Sequence, residues 1–139
     1  MRGLLILLAL VLPLAALEAQ ERGLTQAADQ ARRAWLTHDA AGLVARSPRL
    51  VLQLPGADPS DALGPAQSAA LISNFLAQAQ EVEIVVRAAR EVEPGRGYVE
   101  LQRRYRVAGT QDVRVQSLLL GYRLDSSGWS LVEIGRAHV

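Results

Sequence analysis

Hydrophobic and polar positions follow two different periods in the two halves of the chain. Over residues 22–36, Leu24, Ala28, Ala31 and Trp35 recur at spacings of four, three and four, while Gln26, Asp29, Arg32 and Arg33 fall elsewhere. Side chains spaced in this way share one face of an α-helix, so the segment predicts an amphipathic helix with Trp35 as its anchor. Thr37, His38 and Asp39 interrupt it, and Asp39 is placed to cap a short second helix that carries Ala40, Leu43 and Val44 inward. Residues 49–54, bounded by Pro48 and Pro55, predict a short strand. The Pro-, Gly- and Asp-containing stretch 55–64 reads as a loop, after which Pro65 opens a third helix with Ala69, Ile72, Leu76 and Ala79 on one stripe, widened by Phe75.

Beyond residue 80 the period falls to two. Val82, Ile84, Val86 and Ala88 alternate with Glu83, Val85, Arg87 and Ala89. A two-residue loop at Pro94-Gly95 then pairs Val86 with Arg103 and Ile84 with Tyr105. Turns near Thr110-Gln111 and at residues 125–128 set Tyr105 opposite Gln116, Arg103 opposite Leu118, Leu124 opposite Trp129 and Leu120 opposite Glu133. One apolar inner face runs through all four strands in this register, and a single bulge would reverse everything beyond it. The expected fold class is α+β: three N-terminal helices packed on a strongly curved antiparallel sheet, a half-open cone with a central pocket.

The start of the chain has a different character. Arg2, the apolar run Leu4 to Leu12, and small residues up to Ala19 have the layout of a secretory signal. The apolar run ends at Leu17, short of the roughly 20 residues that cross a bilayer, so no permanent membrane span is expected. The division expected is a signal peptide over residues 1–19, cut after Ala19, and one domain over residues 20–139, periplasmic or extracellular.

Composition narrows the chemistry. The chain has 139 residues with a formal charge of +1, and it contains neither Cys nor Lys. A thiol nucleophile, a disulfide, a cysteine zinc site and a Schiff-base lysine are therefore excluded. His38 and His138 alone do not make a multi-histidine metal centre, and the balanced charge argues against a nucleic-acid partner. No metal or cofactor is expected. Neither histidine falls in the expected cavity, His38 being placed in solvent at the helix corner, so Ser60, Ser68, Ser73 and Ser117 lack a base for a serine triad.

Polar side chains on the inner face are the candidates that remain: Arg103, Tyr105, Arg114, Gln116, Tyr122 and Glu133. A bare guanidinium at mid-strand is costly, so Arg103 either pairs with Glu133 inside the cone, awaits a ligand carboxylate, or is turned to solvent by a bulge. Glu133 is the weak candidate for a catalytic base if it faces inward, and the spacing of Trp129, Leu131 and Ile134 instead suggests a bulge after Val132 that would turn it outward. Trp35, Phe75 and Trp129 are expected to meet inside the cone. On the opposite face Val113, Val115 and Leu119 form an apolar patch that suits a homodimer.

These residues carry a resemblance. The helix with Trp35, the corner Thr37 to Leu43, the step Gly64-Pro65-Ala66-Gln67 into a helix with Phe75, and the final strand Gly128 to Ile134 together resemble the nuclear transport factor 2-like superfamily. That superfamily includes SnoaL-like and ketosteroid-isomerase-like proteins, and the chain is most similar to its short, exported, uncharacterised branch. The resemblance covers residues 22–136 and implies a pocket between the helices and the concave sheet, lined by Trp35, Arg103, Tyr105, Gln116, Tyr122 and Glu133 and suited to a small hydrophobic or carboxylate ligand, with pairing of copies through the outer sheet face. It hosts isomerases, dehydratases and hydrolases alongside many non-enzymes. The function expected is an exported noncatalytic small-ligand-binding or protein-interaction domain. The alternative is an isomerase, dehydratase or hydrolase of small hydrophobic substrates using Glu133 with Tyr105 or Tyr122.

Overall fold

The computed structural model describes residues 2–136, with backbone only at residues 2–13, 17 and 136. The expectation for His138 lies outside the described residues. In chain order the elements are α1 (Arg2–Leu36), α2 (Ala40–Leu43), β1 (Val51–Leu52), α3 (Pro65–Leu76), β2 (Ala79–Glu93), β3 (Arg96–Val107), β4 (Val113–Asp125) and β5 (Gly128–Arg136). Three helices pack on one five-stranded sheet of order β1-β5-β4-β3-β2. The sheet is mixed, because β1 runs parallel to β5, pairing Val51 with Glu133 and Leu52 with Ile134. It is not strongly curled, in contrast to the half-open cone expected. Among the described residues no helix is long and apolar enough to cross a membrane.

The stripe on α1 is buried as its spacing requires: Leu24, Ala28, Ala31 and Trp35 are each at most 4 % exposed. Gly97 on β3 lets α1 approach closely, since a Cβ there would lie 2.8 Å from Leu24 Cδ2. The helix ends in a Schellman motif, with His38 N donating to Trp35 O and Asp39 N to Ala34 O. Asp39 then caps α2, its Oδ1 accepting from Gly42 N at 2.9 Å. Pro65 begins α3 as expected, and Ser68, Ile72 and Leu76 make its buried stripe, while Ala79 belongs to β2.

Bulges decide which side chains face the helices. The β2–β3 ladder starts in the expected register at Glu93 and Arg96, then skips one residue at each of Val92, Arg87 and Val82. Each skip reverses the alternation of β2 beyond it. Two skips cancel, so Ile84 and Val86 face inward but two places further along, opposite Arg103 and Leu101. The third leaves Val82 exposed and turns Glu81 inward, opposite Tyr105. The β3–β4 ladder is also displaced by two, which sets Arg103 opposite Gln116 and Leu101 opposite Leu118. In β5 the bulge at Val132 sets Glu133 opposite Gly121 and leaves its side chain exposed on the outer face.

Candidate functional site

Arg103 is the organising residue of the inner face. It is 1 % exposed, near the C-terminal end of β3, where α1 and α3 also end. Its partner is Glu81, whose side chain is also 1 % exposed. Arg103 Nε donates to Glu81 Oε2 at 3.2 Å and Nη2 donates to Oε1, a bidentate contact; Nη1 donates to Gln116 Oε1 at 3.2 Å. Three rings close around the cation, with centroids 4.1 Å (Tyr105), 5.3 Å (Phe75) and 5.5 Å (Trp35) from the guanidinium carbon. Trp35 and Phe75 meet edge to face at 6.1 Å. The charge that sequence reasoning left open is thus neutralised by Glu81, not by Glu133, because the bulge at Val82 brings Glu81 in and the bulge at Val132 takes Glu133 out.

His38 joins this group from the helix corner. It holds a φ of 57°, the left-handed conformation of a Schellman motif that glycine adopts with less strain. This backbone turns the imidazole toward β2, with Nε2 3.6 Å from Glu81 Oε1, an electrostatic contact beyond hydrogen-bond range. Nε2 is buried and has no hydrogen-bond partner, while a third of the side chain remains exposed. His38 is therefore half-buried against a carboxylate, where a solvated position was expected. Trp35 Nε1 is likewise buried without a partner.

Of the six residues expected to line a pocket, the structure brings together Trp35, Arg103, Tyr105 and Gln116. Tyr122 lies elsewhere, near the β4–β5 hairpin, with its hydroxyl donating to Ala27 O at 3.5 Å. Burial pushes the Tyr122 phenol well above the usual tyrosine range. Trp129 also stands apart from Trp35 and Phe75: its Nε1 donates to Gln20 O at 2.9 Å and its ring touches Gly23. Glu81 and His38 were missed. A signal for Glu81 was present: a buried mid-strand arginine requires an acid on a neighbouring strand, and Glu81 and Glu83 lie one bulge apart at the matching end of β2.

The outer face carries Val113, Val115 and Leu119 as expected, with Val113 46 % and Val115 61 % exposed and Leu119 half-buried. Charged and amide pairs surround them, including Arg104 with Glu83 at 3.8 Å and Arg87 Nε donating to Gln102 Oε1 at 3.0 Å. Among the described residues no three His, Cys, Asp or Glu side chains gather to hold a metal.

No family model matches the chain, and no curated protein matches it. Solved structures do. A ketosteroid isomerase-like protein from Erwinia carotovora atroseptica is similar at TM-score 0.66 and 14% identity, covering 86% of this chain and 98% of that one. A domain of unknown function with a cystatin-like fold from Nostoc punctiforme has TM-score 0.66 at 17% identity, covering 87% and 79%. A proposed dehydratase of the nuclear transport factor 2-like family from Streptomyces avermitilis has TM-score 0.65 at 12% identity, covering 88% and 99%. At these identities the likeness is one of fold, and the chain has the nuclear transport factor 2-like, cystatin-like fold.

Proposed function

We propose that the chain is an exported, noncatalytic binding domain that acts as a homodimer through the outer face of its sheet. The observation that carries the noncatalytic part is the closure of Arg103 by Glu81 and Gln116. A guanidinium with a bidentate internal carboxylate has no charge left to recruit a substrate carboxylate. The acid proposed for catalysis, Glu133, stands on the outer face. Export is supported by where α1 becomes anchored. Leu14, Ala15, Ala16, Glu18 and Ala19 are exposed, whereas Gln20 holds Trp129 and Leu24 is the first of the described side chains buried in the core. A cut after Ala19 removes none of those anchors, and N-terminal sequencing of the exported protein is expected to begin at Gln20, with Met1 as the contrary result.

The patch at Val113 and Val115 supports the homodimer, since two large apolar side chains about half exposed on one strand face are a candidate interface. Sedimentation equilibrium is expected to give a dimer mass that falls to a monomer in Val115→Glu. A wild-type monomer, or a dimer indifferent to that charge, contradicts the pairing. One observation favours the enzyme alternative, a small-molecule isomerase, dehydratase or hydrolase: His38 packs on a buried carboxylate with its ring partly open to solvent. In that reading His38 with Glu81 replaces Glu133 as the proton-transfer pair.

A further inference from the structure

A cavity of about 50 Å³ lies away from the Arg103 centre and shares no residue with it. Its walls are mixed: Ala27 and Ala31 of α1, Leu43 of α2 and Leu131 of β5 supply apolar surface, and Gln30 of α1 adds an uncharged amide side chain. Two hydroxyls border it. Ser47 is 2 % exposed, and its Oγ is buried with no hydrogen-bond partner. Tyr122 is 5 % exposed and gives its proton to Ala27 O at the long limit of 3.5 Å, so its oxygen still has acceptor capacity. The raised phenol keeps Tyr122 neutral. Arg46 stands at the rim, but its guanidinium already donates to Ser127 O. Asp125, whose carboxyl is held below the usual range first by the Ser127 hydroxyl, contributes a negative field beside it. An anion in the cavity would therefore meet methyl groups, two hydroxyls, the neutral Gln30 side chain, and a cation already engaged next to an acid.

We infer that this cavity binds a small uncharged molecule with one hydroxyl group on a short apolar chain. The volume holds about four non-hydrogen atoms at the roughly 10–15 Å³ of such space that one water needs. The ligand hydroxyl accepts from Ser47 Oγ and donates to Tyr122 Oη, and the chain lies against Ala27, Ala31, Leu43 and Leu131. Water satisfies the hydroxyls equally but gains nothing from those methyl groups. The inference rests on the reading of the chain as a binding domain and gives that reading a ligand class.

1-Propanol is the probe. Titrated into the ¹⁵N-labelled protein, it is expected to give saturable amide shifts clustered at Leu43, Ser47, Tyr122 and Leu131, with sodium propionate giving none. Ser47→Ala removes one neutral hydrogen bond and weakens propanol about fivefold, the equivalent of about 1 kcal/mol. Ala31→Leu fills the space and abolishes binding, with spectral dispersion as the check on folding. Shifts that rise linearly without saturating, propionate binding as well as propanol, or an unchanged affinity in the folded Ser47→Ala variant each overturn the inference. Sedimentation of the same samples separates the two readings: a dimer that ignores propanol loses the cavity ligand and keeps the interface, and a monomer that binds it does the reverse.

Discussion

The two ends of the inner sheet face bury polar groups in opposite ways. At the Arg103 end a full charge is enclosed, and Glu81, Gln116 and three aromatic rings are used up in enclosing it. About 20 Å away along β3, at roughly 3.3 Å per residue from Arg103 to Gly97, the buried groups are hydroxyls, held far more loosely than the guanidinium. The Tyr122 hydroxyl has one long hydrogen bond and the Ser47 hydroxyl has none. Burying an ion tolerates no such looseness, because an unpaired charge costs several kcal/mol, whereas an unpaired hydroxyl costs about 1–3. The cation at the charged end is therefore satisfied by the chain itself, although Trp35 Nε1 and His38 Nε2 beside it are buried without partners, and at the neutral end it is the hydroxyls to which a ligand can still add a bond.

The largest effect that sharpens this contrast is removal of each end's tryptophan. Trp35→Ala is expected to cost near the upper end of about 3–5 kcal/mol, since it opens a cavity and strips a ring from the cation. Trp129→Ala is expected near the lower end of that range, through lost packing on Gly23 and Gly97 and a lost bond to Gln20. Denaturant melts measure both, and a loss below about 1 kcal/mol for Trp129→Ala would place the last strand wrongly.

Next in size is the alkaline behaviour of the neutral end. Tyr122 has a folded pKa raised by burial, so its contribution is complete below the unfolded value of about 10 and is lost as pH rises toward the folded value. Stability in that window is expected to fall by up to about 1.4 kcal/mol per pH unit, and no lysine titrates there to obscure it. Tyr122→Phe removes that component of the slope. A variant with the same alkaline slope as the wild type would mean that the hydroxyl is solvated.

The smallest effect tests the corner of the charged end. His38→Gly relieves a left-handed residue, and the 3.6 Å contact it gives up is not a hydrogen bond, so a gain of up to about 1 kcal/mol is expected. A loss of that size in thermal or denaturant unfolding would instead give the His38–Glu81 contact real weight and strengthen the enzyme alternative.

How far the sequence was legible follows from where its periods hold. The stripe Leu24, Ala28, Ala31 and Trp35, the Asp39 cap and the Pro65 start are local signals, and each appears in the structure as spaced. The inward position of Arg103 survived displaced registers because the displacements beside it amount to two residues, which preserves the side. The outward turn of Glu133 was legible, because the spacing of Trp129, Leu131 and Ile134 marks the bulge at Val132, whereas Glu81 was hidden beyond the odd bulge at Val82. The bulges in β2 answer to packing across strands, and the apolar run Val82 to Ala89 does not mark them. His38 was hidden for another reason: its direction is set by a positive φ in a position where glycine is the expected residue.

The central claim, that the buried arginine is satisfied from within, is tested most directly by a double-mutant cycle on Arg103→Met and Glu81→Leu. Each single change strands one buried charge and is expected to cost about 3–5 kcal/mol, while the double variant replaces both charges by apolar groups and recovers much of that loss. The account predicts a coupling of about 2 kcal/mol or more. A coupling near zero, with Arg103→Met neutral or stabilising on its own, would contradict it.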